Sequence, residues 1–331
     1  MRRQITFVLL VTLAAAVSPA AAAPQRRGSQ APRPLIWRDP GAVERLDFVG
    51  GPGGRRNAPR PPFTFIEEDT GGSTPKIEVR DASGREWTVK WGSEVNAETF
   101  ATRMVWACGY FVDPAYFVPE GTIRGVRDLD RAKSYINSDG SFRDARFELE
   151  VETIEKKKGK ESWHWEQNPF AGTEQLNGLK VLVMLLSNWD NKDVRDENRG
   201  SNTSIYVMRG PRGGIQEQYL ITDWGGSMGK WGGIFKREKW DSKGFADQTP
   251  DFLKIDSGGL DWGYTGQHSG DFRRTIAVKD IQWLLRYLGR VSDRQIRDGL
   301  RASGALDSEV DVFTRALRAR IDRLRQVARA Y

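Results

Sequence analysis

One cysteine, Cys108, and two histidines, His164 and His268, are all that this 331-residue chain offers of the side chains behind disulfides, zinc centres and imidazole relays. A lone cysteine closes no internal disulfide, so the fold must rest on its own core. Two histidines so far apart in sequence give neither a zinc-ligand spacing nor a Ser-His triad. Long apolar runs are scarce as well: after residues 5–17 no stretch is apolar enough for a membrane helix. Excess charge is small, +7 over the chain, and much of it sits in Arg26, Arg27, Arg55, Arg56 and an arginine series over 315–329. Without a groove-binding or base-stacking motif, such a balance argues against a nucleic-acid reader and suits a solvated helix face with some attraction for phosphate.

What is present begins with Met1-Arg2-Arg3, the apolar run 5–17 and the small residues Ser18-Pro19-Ala20-Ala21-Ala22-Ala23. A positive start, a short apolar centre and an Ala-x-Ala site form the pattern of a secretory signal. Residues 1–23 are therefore expected to be removed near Ala22-Ala23, leaving an exported, periplasmic or secreted, protein. Residues 24–61 are rich in Pro, Gly and Arg and lack apolar periodicity. They read as a flexible tether with one short docked segment near Leu46-Asp47-Phe48, and ordered structure is expected from about Phe63.

Beyond the tether, Val, Ile, Thr and Trp alternate with charged residues over 63–67, 76–80 and 86–91. Asp81-Ala82-Ser83-Gly84 turns a hairpin between the last two of these strands. A helix is expected over 93–108, with Ser93 as N-cap and Gly109 as its stop. A strand over 146–154 and a charged loop over 155–161 complete a β-rich part, 62–160. In the second part, 161–331, residues 173–187 form an apolar helix that ends in the polar cluster 188–202. A hairpin follows over 204–208 and 218–222, then a Gly- and Trp-rich loop, then helices over 278–288, 293–302 and 308–330. The class is α+β, with a β-rich N-terminal lobe, a helical C-terminal lobe and a cleft between them. Twelve tryptophans crowd the middle of the chain, and packing is the expected role for them.

Phosphoryl transfer asks for a cation on the phosphates, two metal-binding groups and a carboxylate that positions the acceptor hydroxyl. Lys90 ends a strand from which its side chain can reach a phosphate. The next helix carries Glu94 and Glu98 on one face, four residues apart. Either can pair with Lys90, and Glu98, one turn further in, is the preferred partner. Asp223 ends the apolar strand Leu220-Ile221-Thr222 ahead of Trp224-Gly225, where a carboxylate can hold a metal that bridges phosphates. Asp190 and Lys192 stand at the end of the apolar helix, and Asn202 precedes the next strand as a second metal ligand. The step from Asp190 to Asn202 is twelve positions, which an insertion over 194–201 would explain. A rival pair, Asp193 and Asn198, has the shorter Asp-x-x-x-x-Asn spacing. A hydrolase using Asp190, Asp193, Asp196 and Asp223 around calcium is a further alternative, without regular calcium-loop spacing.

Trp87-Thr88-Val89-Lys90, the Glu98 helix, Asn188-Trp189-Asp190-Asn191-Lys192, Asn202 and Asp223-Trp224-Gly225 occur in an order that resembles the protein-kinase-like superfamily. The likeness is nearer to atypical members of the HipA, CotH and phosphoinositide-kinase kind, and it runs over roughly 63–300. There is no His before Asp190, no Ala-Pro-Glu and no full Gly-x-Gly-x-x-Gly. The resemblance implies a two-lobed protein-kinase-like fold and ATP with Mg²⁺ or Mn²⁺ held by Asn202 and Asp223. It implies catalysis by Asp190 and Lys192, nucleotide contacts from Lys90 and Glu98, and a phosphate-covering loop at Gly71, Gly72 and Ser73. The implied partners are a nucleotide and a phosphoryl acceptor (protein, lipid or small molecule) for a monomer that takes no nucleic acid and inserts in no membrane. A pseudokinase or an AMP transferase on the same fold is the alternative.

Overall fold

The computed structural model describes residues 31–72, 74–211, 213–256 and 259–330, and the architecture is that of the unit from Pro32 onward. The signal segment 1–23, the first residues of the expected tether and Ser73 lie outside the described residues.

Strand β1 (Arg33–Leu35) opens the chain. Strands β2 (Phe63–Asp69), β3 (Lys76–Arg80) and β4 (Glu86–Lys90) follow, then helix α1 (Val95–Ala107), β5 (Ala115–Arg124) and β6 (Ser141–Leu149). The order β2-β3-β4-β6-β5 closes into a barrel through a short parallel pairing of β2 with β5. Alternation explains its two faces. Ile77, Val79, Trp87, Val89, Ala145 and Phe147 fill the interior. Between them, Lys76, Glu78, Thr88, Lys90, Arg146 and Glu148 share the other face, since Lys90 lies opposite Lys76 on one side and Arg146 on the other.

Strand β7 (Glu155–Lys157), helix α2 (Glu174–Leu185) and the hairpin β8 (Thr203–Arg209) and β9 (Ile215–Ile221) come next. They lead into α3 (Ser242–Asp247), the hairpin β10 (Leu253–Asp256) and β11 (Gly259–Trp262), and helices α4 (Ser269–Arg273), α5 (Val278–Leu288), α6 (Asp293–Ala302) and α7 (Asp307–Ala330). Helix α2 is buried over most of its length, Asn177 and Lys180 included, with Leu179 and Val183 in the same core as Leu284, Leu317 and Leu324. Thr173 caps it, its hydroxyl accepting from the Leu176 amide at 3.2 Å. Ser292 and Gln295 form a reciprocal cap at the start of α6. Among the described residues no helix is long and apolar enough to cross a membrane.

The structure corrects the tether. Residues 33–57 are packed: β1 pairs in parallel with β9, and Ile36, Val43 and Phe48 are buried. Gln295 donates to the Val43 carbonyl at 2.8 Å, and Arg103 donates to that of Phe48 at 2.8 Å. The apolar residues here are few and follow no period, because each fills a separate slot rather than one face of an element. Two boundaries also shift. The strand expected over 146–154 is β6, displaced toward the N-terminus, and part of the expected charged loop is β7, hydrogen-bonded to β8. At the start of α1 the cap position falls on Glu94, without a side-chain cap, rather than on Ser93.

Candidate phosphotransfer site

Helix α2 delivers the polar cluster. Beyond its last turn Ser187 takes a positive φ of 58°, which turns the chain so that Asn188, Trp189 and Asp190 face the segment after β9. Asn188 ties the two segments together: its Nδ2 donates to the Asp223 carbonyl at 3.2 Å, and its Oδ1 accepts from the Asp190 amide at 3.2 Å. The Trp189 amide donates to the Gly226 carbonyl at 3.3 Å, and the Met228 amide donates to that of Leu186 at 2.8 Å. Gly226 is required by this closeness, since a Cβ there would lie 2.9 Å from both Asn188 Oδ1 and Asp190 Cβ.

Asn202 is drawn to the same place. Its Nδ2 donates to the Asp190 carbonyl at 2.6 Å, which turns Oδ1 outward as the atom offered to a cation. Its backbone joins both neighbours, its amide donating to the Lys192 carbonyl and its carbonyl accepting from the Thr222 amide. Asp223 Oδ1 accepts from the Gly225 amide at 2.8 Å. Burial pushes the Asp223 carboxyl above the usual range, the charges of Glu94 and Asp190 push it further, and Lys90 and the Gly225 amide pull it back. Lys192 lies 3.3 Å from Asp190. The structure thus joins the segments of Asp190, Lys192, Asn202 and Asp223 by hydrogen bonds and one ion pair, and Lys90 of the barrel is near enough for its charge to act on Asp223.

Glu98 departs from expectation. It pairs with Arg146, not with Lys90, and among the described residues no carboxylate lies within ion-pair distance of Lys90. Arg146 is the cross-strand neighbour of Lys90 on the same face, fully buried, and a guanidinium there must have a carboxylate. It takes Glu98 on one side and Glu148, at 2.9 Å, on the other. Burial raises Glu98 to about 8 against the pull of Arg146. Glu94, the passed-over alternative, is the acid that meets the cleft. It lies against Gly225, where a Cβ would come within 2.8 Å of its Cβ and Cγ. It is held by Lys239 and by the Thr74 hydroxyl at 3.2 Å. Burial acts to raise Glu94, but Lys239 and Thr74 outweigh it and hold the carboxyl below its usual range.

The loop expected to cover phosphates is only partly suited to the task. The Gly71 amide is taken by Asp69 Oδ1 at 2.7 Å, and Gly72 has a positive φ of 72°, its carbonyl accepting from Arg131. The rival pair falls apart. Asp193 is fully buried, caps the short helical turn Val194–Arg199 and accepts from the Trp165 amide and from Arg195. Burial raises its carboxyl, yet Arg195 and the amides hold it low. Asn198 lies within that turn, before β8 begins at Thr203. The calcium arrangement is likewise divided. Asp193 and Asp196 gather with His268, ligand atoms within 4.8 Å of one another, and Arg195 is bonded into the group, bridging to Asp271 at 2.5 Å. A guanidinium in that position makes the cluster an ion-pair clasp for the inserted turn.

Three further residues contribute in roles that the sequence reading did not assign. Asn188, Arg146 and Arg320 carry no local signature; Arg320 sits in the arginine series of α7 that reads as a solvated face. It is wholly buried, donating to the Leu185 carbonyl, the Ser187 hydroxyl and the Phe245 carbonyl, each at 2.8 Å, with its guanidinium 3.6 Å from the centre of the Phe245 ring. Its heptad-like placement beside Leu317, Ile321 and Leu324 is the one clue that the chain held.

No protein-family model matches this sequence, and no curated protein matches it. Among solved structures the chain is similar to the Golgi casein kinase with Mn and ADP bound, at 8% identity and TM-score 0.36, over 82% of this chain and 73% of that one. It is similar also to the Rio2 kinase ADP/Mg²⁺ phosphoaspartate complex from Chaetomium thermophilum, at 12% identity and TM-score 0.31, over 78% and 72%. At such identities and scores the likeness assigns no residue a role.

Proposed function

We propose that this chain is an exported, nucleotide-dependent phosphotransferase that moves the γ-phosphoryl group of ATP to a hydroxyl acceptor. One observation supports the reading: residues far apart in sequence are tied together, Asn202 donating to the Asp190 carbonyl at 2.6 Å and Asn188 to the Asp223 carbonyl at 3.2 Å, with the charge of Lys90 from the barrel acting on Asp223. The donors are all hard oxygens: Asp223 feels the charges of Glu94 and Asp190, and while Lys239 pairs with Glu94 and Lys192 with Asp190, no cation lies within ion-pair distance of Asp223 among the described residues. Such a set fits Mg²⁺ or Mn²⁺, with Asp223 and Asn202 as the residues that would hold it. When bound, the ion would neutralise charge on the phosphates.

Lys90 neutralises and orients the phosphates from the barrel side. Asp190 accepts the proton of the acceptor hydroxyl as its oxygen bonds to the γ-phosphorus; the bridging P–O bond breaks and its electron pair leaves with ADP. Lys192, beside Asp190, steadies the moving phosphoryl group. Arg146 leaves Lys90 free for phosphate by taking Glu98 itself. Export is supported by the Arg2-Arg3 start, the apolar run and the Ala-x-Ala site.

The test is mass spectrometry and radiolabel transfer with the purified protein, ATP and Mn²⁺ or Mg²⁺. A phosphoryl-sized gain on an acceptor that disappears in Asp190→Ala, with nucleotide binding kept, is the expected result. Asp223→Ala is expected to lose metal-dependent ATP binding. An adenylyl-sized gain would reassign the chemistry to AMP transfer, ATP binding without any transfer would make the chain a binding module, and full turnover in Asp190→Ala would overturn the assignment of roles.

A further inference from the structure

Trp189, immediately before Asp190, has cations around its ring. The Arg237 guanidinium lies 5.2 Å from the ring centre and the Lys239 ammonium 5.6 Å. The indole N–H donates to the Glu238 carbonyl at 3.0 Å, which fixes the ring. With Ser93, these residues line an open cavity of about 400 Å³. The two cations are not equivalent. Lys239 is spent on Glu94, whereas the one side-chain hydrogen bond of Arg237 goes from Nε to the Gly232 carbonyl at 2.9 Å, and among the described residues no carboxylate lies within ion-pair distance of it. A half-buried guanidinium set beside an aromatic ring, with its planar fork unpaired, is preorganised for a carboxylate or phosphate.

Its position ties it to the chemistry. The Tyr264 hydroxyl, which donates to the Asn188 carbonyl at 2.5 Å, feels the charges of both Arg237 and Asp190. The ring beside which Arg237 lies belongs to the residue directly before the proton acceptor. Lys236 adds positive charge on the same segment, Lys230 being paired with Asp241 at 3.3 Å, and Phe235 is fully exposed. Glu238 is the one acid in the lining, and it is exposed.

The geometry points to an acidic, hydroxyl-bearing peptide as the phosphoryl acceptor, with a carboxylate seated on Arg237 beside Trp189 and the hydroxyl at Asp190. This rests on the phosphotransfer reading and names its substrate class. An extended peptide suits the place better than a small molecule. The surface is open and built from three separated segments rather than enclosed. An extended strand presents side chains along its length, so one can lie at Arg237 while another lies at Asp190, the residue after Trp189. Phe235 offers apolar contact to a neighbouring side chain.

The experiment presents the full protein, with ATP and Mn²⁺, to peptides carrying a single serine flanked by Asp or Glu, by Ala, or by Lys or Arg. Acid-flanked peptides are expected to exceed Ala-flanked ones about tenfold in kcat/KM, through KM, as one charge-assisted contact implies. Arg237→Gln is expected to erase that ratio, and Arg237→Glu to turn the preference toward Lys and Arg. Equal or better use of neutral or basic peptides by the wild type, an unchanged ratio in Arg237→Gln, or ATP turnover with no peptide phosphorylated would overturn the inference alone. Failure to bind ATP with Mn²⁺ at all, read by thermal shift, would remove the phosphotransfer reading beneath it.

Discussion

Replacing Arg146 with methionine removes the guanidinium that Glu98 and Glu148 share while keeping much of its volume. Glu98 is 3% exposed and loses the cation it pairs with. Breaking one side of a buried pair costs about 3–5 kcal/mol, because the remaining charge has been taken from water without compensation. The pH dependence follows from both acids. Burial pushes Glu148 up, but Arg146 and Lys90 outweigh it and hold it low; without Arg146 it rises. Glu98 is already at about 8 with Arg146 beside it, and rises further without it. Each carboxyl in the variant keeps its proton to higher pH than in the wild type. The loss is therefore greatest above about pH 8 and shrinks as the pH falls toward about 5. Urea unfolding of both proteins across that range measures it. The double variant Glu98→Gln with Arg146→Met is expected to recover part of the loss at high pH. A loss that is the same at both ends of the range, or below about 1 kcal/mol throughout, would refute the reasoning.

Three other outcomes follow from the packing. Gly226→Ala forces Asn188 or Asp190 to move, so phosphoryl transfer is expected to fall by about a hundredfold or more while unfolding changes by only about 1–2 kcal/mol; activity and urea curves measured together separate the two. Glu78 is pushed up to about 7 by burial and by the charges of Glu150 and Glu148, against the Thr88 hydroxyl. It binds a proton in the folded chain that the unfolded chain has released, so its contribution is lost as pH rises from about 4.5 to 7. Glu78→Gln should gain on the wild type by on the order of 1–3 kcal/mol between about pH 5 and 8. Arg320→Met leaves buried carbonyls of Leu185 and Phe245 without their donor and is expected to cost about 2–5 kcal/mol, with hydrogen exchange rising across residues 186–192.

Much of the fold was legible locally. The alternation of Ile77, Val79, Trp87 and Val89 with charged neighbours announced strands, because neighbouring residues carry the signal. Strand β5 was missed where Pro119 and Gly121 interrupt its alternation, and its pairing with β6 supplies what its own sequence withholds. At the site, Lys90, Asp190, Asn202 and Asp223 could be picked out because each ends or begins an element. The partner of Glu98 could not, because the choice between Lys90 and Arg146 depends on a cross-strand register that only the closed barrel specifies. Asp190 and Asp193 were separable only by burial, since the inserted turn at 194–199 consumes one and leaves the other.

Arg320 gives the site a dependence on time as well as on space. The loop that carries Asp190 is emitted from α2 more than a hundred residues before the guanidinium that clamps its root. Until most of α7 has been synthesised and docked, the carbonyl of Leu185 and the hydroxyl of Ser187 have no anchor. A nascent or foreshortened chain thus holds Asp190 without the clamp at the root of its loop until α7 docks.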